Sequence, residues 1–160
     1  MLKSKSFTIQ EAQKKLENYC AYQERCHQEV IQKLKSLNMI QIAIDQIIGK
    51  LITDNYLNET RFAQSYARGK FRIKKWGKIR ILSQLKFRGI SAWNIKKGMQ
   101  EIDSGEYLDT FETLFDQIWN QYQHLDFINC QKKVCNRLQY RGWENELIFD
   151  AIRDKKGKNS

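Results

Sequence analysis

Basic residues crowd the middle third of this sequence and are its best candidates for chemistry, namely the binding of a polyanion. From residue 61 to residue 97 there are twelve lysines and arginines and no acidic residue. Such a run repels itself unless it meets an anionic partner, and a DNA backbone is the commonest partner of this kind. The candidate binding residues are Arg61, Arg68, Lys70, Arg72, Lys74, Lys75, Lys78, Arg80, Lys86 and Arg88.

Four of these bases are predicted to share one face of a helix. At about 100° per residue, Arg61, Arg68, Arg72 and Lys75 fall within roughly 60° of one another, and we call them the basic stripe. A basic stripe is either a contact surface or a solvated face. Charge reversal at Arg68 and Arg72 separates the two interpretations, because only the first predicts that binding is lost while the fold survives.

An acidic block follows the basic one. Residues 98–131 hold seven acids and no base. No pair of carboxylates in this block is flanked by a base or a metal ligand, which argues against catalysis. Two interpretations stay open: the block docks on a basic protein surface, or it balances the basic block within the molecule.

Catalytic and metal-binding motifs are missing from the sequence. There is no phosphate-binding loop, dinucleotide fingerprint, zinc-protease helix or nucleophile elbow. His27 and His124 have no partner at a diagnostic spacing. The cysteines lack the spacing of structural zinc sites, and we expect reduced thiols. We therefore predict a protein that is not an enzyme and holds no cofactor and no metal.

An internal repeat organises the chain. Residues 30–39 align with residues 81–90 and again with residues 134–143, at a period of 51 and then 53 residues. Each aligned segment must end in a tight turn, because Gly89 and Gly142 suit the left-handed conformation that follows a helix, and Asn38 is the next best residue there. Further amphipathic runs precede each pair at residues 7–22, 60–71 and 108–122.

These patterns predict an all-α fold of three tandem three-helix repeats, about nine helices in an elongated, curved array. Proline is absent and glycine is scarce, which favours helices. The predicted divisions are repeat 1 at residues 1–57, the basic repeat 2 at 58–105, repeat 3 at 106–154, and a disordered tail at 155–160. Neither a signal peptide nor a run of about 18 apolar residues occurs, so we expect a soluble cytoplasmic protein that avoids membranes. We also expect a monomer.

The middle repeat resembles the signature of the RecX family. The matching residues are Arg61-Phe62-Ala63, Tyr66-Ala67-Arg68, the bases up to Trp76-Gly77, Ile81, Leu85 and Arg88-Gly89-Ile90-Ser91, with Asp54, Tyr56-Leu57 and Asn58 before them. Gln84 departs from the usual glutamate of the family, and Asn38 from the usual glycine of the first repeat. The terminal repeats resemble the family pattern least.

The resemblance implies tandem three-helix repeats that bind within the groove of RecA filaments. It also implies inhibition of the ATPase and strand exchange of RecA in DNA repair and recombination, with some affinity for single- or double-stranded DNA regardless of sequence. On this basis we expect a negative regulator of the RecA recombinase.

Two other functions compete with this expectation. A helix-turn-helix DNA-binding protein would use Arg80–Met99 as its motif, but its recognition helix, Ser91–Ile102, offers little beyond Asn94, Lys96 and Lys97 to reach base edges. A plain helical-repeat scaffold, whose charges only keep it soluble, would not bind DNA at physiological salt.

Overall fold

Nine α-helices and no strand make up the part of the chain that the structure, a computed structural model, describes, residues 6–158. The helices are α1 (Ile9–Tyr22), α2 (His27–Ser36), α3 (Gln41–Thr53), α4 (Glu59–Arg72), α5 (Lys78–Phe87), α6 (Ala92–Met99), α7 (Ser104–Tyr122), α8 (Phe127–Tyr140) and α9 (Asn145–Lys158). Each consecutive set of three forms one repeat. The predicted all-α fold of three three-helix repeats is confirmed.

The turns between the second and third helices of each repeat have the same geometry. Asn38, Gly89 and Gly142 adopt φ angles of 60°, 72° and 93°. In every repeat the next residue donates its N–H to the carbonyl oxygen five residues earlier, at 3.1 to 3.2 Å. This is the Schellman motif, which satisfies helix-end carbonyl groups and needs a left-handed residue. The turn predicted from the sequence repeat is therefore present in all three copies.

Helix starts are fixed by side chains that accept hydrogen bonds from the first turn. Thr8 and Glu11 form a reciprocal capping box at the start of α1, and Asn58 accepts from the N–H of Arg61 at the start of α4. Ser91 caps α6 in the same way, accepting from the N–H of Asn94 at 3.2 Å.

Two hydrophobic cores hold the three repeats. Repeat 1 has its own core, which includes Leu16, Leu34 and Ile47. Repeats 2 and 3 share a single larger core, in which Phe71 of α4 and Trp143 of the α8–α9 turn belong to one cluster of buried side chains. The second and third repeats are therefore one packed unit, to which repeat 1 is joined.

The joint between repeats 2 and 3 is a close approach of two backbones. The N–H of Gly77 donates to the carbonyl oxygen of Arg141 at 2.9 Å, and the N–H of Ile79 donates to that of Gly142 at 3.0 Å. The indole N–H of Trp143 donates to a carbonyl oxygen of the α4–α5 loop at 3.1 Å. A Cβ atom on Gly77 would lie 2.3 Å from the carbonyl oxygen of Gly142, so this joint requires a glycine.

The joint between repeats 1 and 2 is more polar. The guanidinium of Arg61 contacts Glu24 at 2.5 Å and also donates to the carbonyl oxygen of Asn55. The N–H of His27 donates to the carboxylate of Glu59 at 3.3 Å. Cys26 of repeat 1 is buried in the larger core, so charged contacts between helices and one apolar side chain together position repeat 1 on repeat 2.

Two predicted boundaries are wrong by a few residues. The division at 105/106 falls inside the first turn of α7, which begins at Ser104 because Asp103 caps it. The tail predicted at 155–160 is helical from 155 to 158, where lysines favour the negative end of the helix dipole. Residues 159–160, like residues 1–5 of the predicted repeat 1, lie outside the described residues.

Cys20, Cys26, Cys130 and Cys135 are buried and free, and burial raises the pKa of the Cys26 thiol to about 11. Among the described residues no helix combines the length and the apolar character that a bilayer crossing requires.

Tyr107 makes the stability of the shared core depend on pH in the alkaline range. Its buried hydroxyl donates to Glu144 and accepts from the N–H of Lys78 at 2.9 Å. Burial, and then the hydrogen bond to Glu144, raise the pKa of Tyr107 well above its usual value near 10. The folded state therefore holds this proton more tightly than the unfolded state, and the stability it contributes is present below pH 10 and lost as pH rises further.

We expect Tyr107→Phe to remove this alkaline loss. At pH 7 the variant should lose about 1 to 3 kcal/mol in free energy of unfolding, because Glu144 and the N–H of Lys78 lose a partner. Urea unfolding at pH 7 and from pH 9.5 to 11.5 measures both effects. Tyr22→Phe is the control, since Tyr22 is 83% exposed. An equally steep alkaline loss in Tyr107→Phe and wild type would contradict the assignment.

Candidate polyanion-binding surface

The arginines of the basic stripe predicted from helical spacing are paired with acidic side chains of the same chain. Arg68 lies 3.4 Å from the carboxylate of Glu101, and Arg72 lies 3.4 Å from that of Glu106. Arg61 is held at the joint between repeats 1 and 2. Each arginine of the stripe therefore has an acidic partner, although Arg72 remains half exposed.

Lys75 does not continue the stripe. Helix α4 ends at Arg72, and Lys75 has a φ of 57° in the loop that follows. Its N–H donates to the carbonyl oxygen of Phe71, while that of Trp76 reaches back to Lys70. The prediction that Lys75 shares a helical face with Arg68 is wrong, because the chain leaves the helix before reaching it.

The acidic block has intramolecular roles at most of its positions. Glu101 and Glu106 pair with the arginines of α4, and Asp116 lies 3.4 Å from the ammonium of Lys155. Asp103 and Asp126 accept hydrogen bonds as the N-caps of α7 and α8. These contacts support the interpretation that the block balances charge and starts helices within the molecule.

Other bases of the middle repeat alternate with aromatic rings. We call this array the cation–aromatic ladder. Its members, in spatial order, are Arg88, Tyr66, Lys70, Trp76, Arg80 and Tyr140.

The first part of the ladder lies on α4 and the end of α5. The guanidinium of Arg88 lies 4.9 Å from the centroid of the Tyr66 ring. The ammonium of Lys70 lies 5.4 Å from the same ring and 4.9 Å from that of Trp76. Such distances lie within the range of cation–π attraction. The rings thus hold cations that form no ion pair with any described acid.

Arg80 forms the second part, between two rings. Its guanidinium lies 4.0 Å from the centroid of Trp76 and 4.7 Å from that of Tyr140, and it donates to the carbonyl oxygen of Tyr140 at 3.3 Å. A clamped guanidinium keeps its planar set of donors in place, which reduces the entropy lost on meeting an anion.

A groove opens beside Arg80, between repeats 2 and 3. Its volume is about 520 Å³. The lining residues are Lys74, Trp76, Arg80, Asn136, Arg137, Tyr140 and Arg141. Four of them are bases and none is an acid, which is the composition expected of a site for phosphate groups. We call it the Tyr140 groove.

The charges along the ladder are close enough to affect one another. Burial lowers the pKa of the Lys70 ammonium, and the nearby cations Lys74, Arg88 and Arg80 lower it further. Like charges raise the free energy of a folded chain, and an anion that binds among them removes this cost. The surface is therefore electrostatically ready for an anionic partner.

The remaining predicted bases lie elsewhere. The ammonium of Lys78 lies 4.6 Å from the ring of Tyr107 at the start of α5, and Lys86 is exposed in the last turn of that helix. Lys75 lines a separate cavity with Asp109. The structure thus brings four predicted residues together, namely Lys70, Lys74, Arg80 and Arg88.

Four groove residues in repeat 3 were missed by sequence reasoning. They are Asn136, Arg137, Tyr140 and Arg141. One signal was available, since Arg141 aligns with Arg88 at the period of 53 residues. Tyr66, which was not among the predicted binding residues, is partly buried and is a member of the ladder.

The helix-turn-helix alternative gains no support from the geometry. The proposed recognition helix corresponds to α6, which packs against α4. Asn94, its best candidate for reading bases, is hydrogen bonded to the hydroxyl of Thr60 at 2.6 Å. Its lysines Lys96 and Lys97 can contact phosphates but offer no paired donor and acceptor for a base edge.

Comparison with known families decides the resemblance. Residues 58–99 match the model of the RecX second three-helix domain. This match covers α4, α5 and α6 with most of the ladder. The resemblance to the RecX family is confirmed. The matched residues belong to the middle repeat, where the sequence signature was found.

Relatives extend the similarity beyond that repeat. The regulatory protein RecX of Bacillus cytotoxicus is 26% identical over 148 residues, covering 92% of this chain and 55% of the relative. The one from Lactobacillus gasseri is 28% identical over 130 residues, covering 81% of this chain and 48% of its own. The chain therefore spans about half the length of the curated RecX relatives it matches.

Solved structures agree on the fold. The crystal structure of RecX from Lactobacillus salivarius has a TM-score of 0.77 at 28% identity, covering 92% of this chain and 95% of that one. A second crystal structure of regulatory protein RecX has a TM-score of 0.80 at 20% identity, covering 91% and 73%. The second supports the fold alone. The chain has the elongated helical-repeat fold of these RecX structures.

Proposed function

We propose that this protein is a negative regulator of the RecA recombinase, acting as a monomer in the cytoplasm during DNA repair and recombination. It binds RecA filaments assembled on DNA and inhibits ATP hydrolysis and strand exchange by RecA. It does so by binding alone and catalyses no reaction. The relatives named regulatory protein RecX support the regulatory part of this proposal.

The observation that carries the proposal is the cation–aromatic ladder with the Tyr140 groove. It provides a continuous basic surface across repeats 2 and 3 whose charges have no acidic partner among the described residues. A RecA–DNA filament offers the phosphate backbone of DNA as a polyanion. Phosphate contacts are independent of sequence, which suits a regulator that must act wherever a filament forms.

The rigidity of the packed unit of repeats 2 and 3 favours this role. A shared core and the backbone joint at Gly77 fix the groove and the ladder relative to each other. A surface that is ordered before binding loses less conformational entropy when it meets a filament.

The DNA-dependent ATPase of RecA from the same organism tests the proposal. The protein is titrated into RecA on single-stranded DNA, and we expect inhibition at well below one molecule per RecA monomer. Unchanged ATP hydrolysis, in a buffer in which the protein binds the same DNA, would overturn the proposal.

A further inference from the structure

We propose that the Tyr140 groove is a binding subsite for one nucleotide of a single strand, in which an unpaired base stacks on Tyr140 while phosphates contact the surrounding arginines. This inference deepens the proposed function and rests on it for its biological setting. Its chemistry, however, concerns nucleic acid alone and can be tested without RecA.

The ring of Tyr140 is largely open to solvent. The guanidinium of Arg80 lies over it, 4.7 Å from the ring centroid, yet the residue is 75% exposed. Burial of an aromatic side chain is strongly favourable, so an exposed ring fixed by its neighbour is a ready platform for a planar, apolar partner. Nucleobases stack on such rings whatever their sequence, because every base has a π-face.

The residues around the ring include three further cations that suit the phosphates of a nucleic-acid strand. Arg137 and Arg141 lie on α8 and its C-terminal turn, and Lys74 lies in the facing α4–α5 loop. Arg141 is held in place by a hydrogen bond to the carbonyl oxygen of Lys74 at 3.1 Å. Arg137 donates to Gln121 and to the hydroxyl of Tyr122 at 3.0 and 3.2 Å. Neither arginine forms an ion pair among the described residues.

The groove selects a single strand over a duplex. In a duplex the bases are stacked on one another and present only their edges, so no base face is free for Tyr140. An unpaired strand gives both a base face and its phosphates to the same groove. Asn136, which also lines the groove, adds a polar side chain that suits the edge of any base.

Fluorescence anisotropy with three labelled probes tests this assignment. The probes are an oligothymidylate of 20 nucleotides, an abasic strand with the same phosphates, and a duplex of the same length. We expect wild type to bind oligothymidylate about tenfold more tightly than the abasic strand, because one base stacks on Tyr140 and strengthens binding. Tyr140→Ala should make these two affinities equal, whereas Tyr140→Phe should preserve the ratio.

Tyr22→Ala is the matched control, because Tyr22 is also a highly exposed tyrosine at the end of a helix but lies in repeat 1, away from the groove. It should leave the ratio unchanged. The ratio of affinities is the decisive readout, since a general effect on folding or on Arg80 changes both affinities together.

Equal binding of oligothymidylate and abasic strand by wild type would overturn the subsite, and so would a preference for the duplex. A fall in both affinities by the same factor in Tyr140→Ala would assign only phosphate contacts to the groove and overturn the stacking. None of these results alters the ATPase assay with RecA, so failure of the subsite and failure of the proposed function are distinguishable.

Discussion

Reversing the charge of two groove residues that form no ion pair, with Lys74→Glu and Arg137→Glu together, is expected to weaken inhibition of the RecA ATPase. The half-inhibitory concentration should rise about a hundredfold or more. Each charge-assisted contact contributes about 1.5 to 3 kcal/mol, and every 1.4 kcal/mol is a factor of ten. Both side chains are exposed, and the variant loses only the surface hydrogen bonds of Arg137 to Gln121 and Tyr122, so the fold should lose about 1 kcal/mol or less in stability.

A second variant makes this prediction specific. Arg68→Glu with Arg72→Glu changes the net charge by the same amount but alters arginines that already pair with Glu101 and Glu106. We expect this variant to raise the half-inhibitory concentration less than about tenfold, because it changes only the long-range electrostatic attraction, which salt screens. Lys14→Glu with Lys35→Glu, on exposed positions of repeat 1, should have the smallest effect.

The opposite ranking of the two variants would contradict this prediction and identify the basic stripe as the contact surface. If Arg68→Glu with Arg72→Glu abolishes inhibition while the groove variant inhibits like wild type, the stripe is the contact surface and the ladder is a solvated face. Thermal unfolding of all three variants excludes a loss that arises from misfolding.

The sequence predicted those features that depend on local backbone physics. The left-handed turns at Asn38, Gly89 and Gly142 follow from what a helix end requires, and a fixed period placed all three. The N-cap at Ser91 is similarly local. The order of helices followed from these turns, because each must separate two helices of one repeat.

The site was harder to predict because tertiary contacts decide which charges remain unpaired. The acids that neutralise Arg68 and Arg72 lie in another part of the chain, and helical spacing alone gives no sign of them. Lys75 was assigned to a helix that ends three residues earlier. Tyr140 reaches the ladder only because repeat 3 packs against the loop before α5.

Composition nevertheless pointed to the segment that carries most of the ladder. Four predicted bases do gather on one surface, and the aromatic residues between them were visible in the sequence as Tyr66 and Trp76. Interleaved bases and aromatic residues are typical of nucleic-acid-binding surfaces. The role of the rings was not predicted, because the cations that contact Tyr66 and Tyr140 include Arg88 and Arg80 from distant parts of the chain.

Replacing Gly77 by alanine is expected to have the largest effect on stability. The added Cβ would lie 2.3 Å from the carbonyl oxygen of Gly142 and 2.6 Å from the Cα of Trp143. Both neighbours are backbone atoms, so repeats 2 and 3 must move apart. Overpacking costs about 1 to 3 kcal/mol, and two inter-repeat hydrogen bonds weaken as well. We expect a loss of about 3 kcal/mol in urea unfolding.

Capping and steric effects at this position are separated by a second variant. Gly77 is the N-cap of α5 with a φ of −79°, a conformation open to any residue. Serine is a better N-cap than alanine, so Gly77→Ser would recover stability if capping were the cause. It carries the same Cβ, however, and we expect it to be as unstable as Gly77→Ala. Gly49→Ala, which meets nothing within 4 Å, should be neutral or slightly stabilising.

The joint also links stability to binding. Lys74 and Trp76 approach the groove from the loop before Gly77, whereas Arg137 and Tyr140 approach it from repeat 3. Moving the repeats apart widens the groove, so Gly77→Ala should lose affinity for single-stranded DNA at temperatures where it is still folded. Wild-type stability in Gly77→Ala would mean that the two backbones separate without cost, and the groove would then owe its shape to the shared core alone.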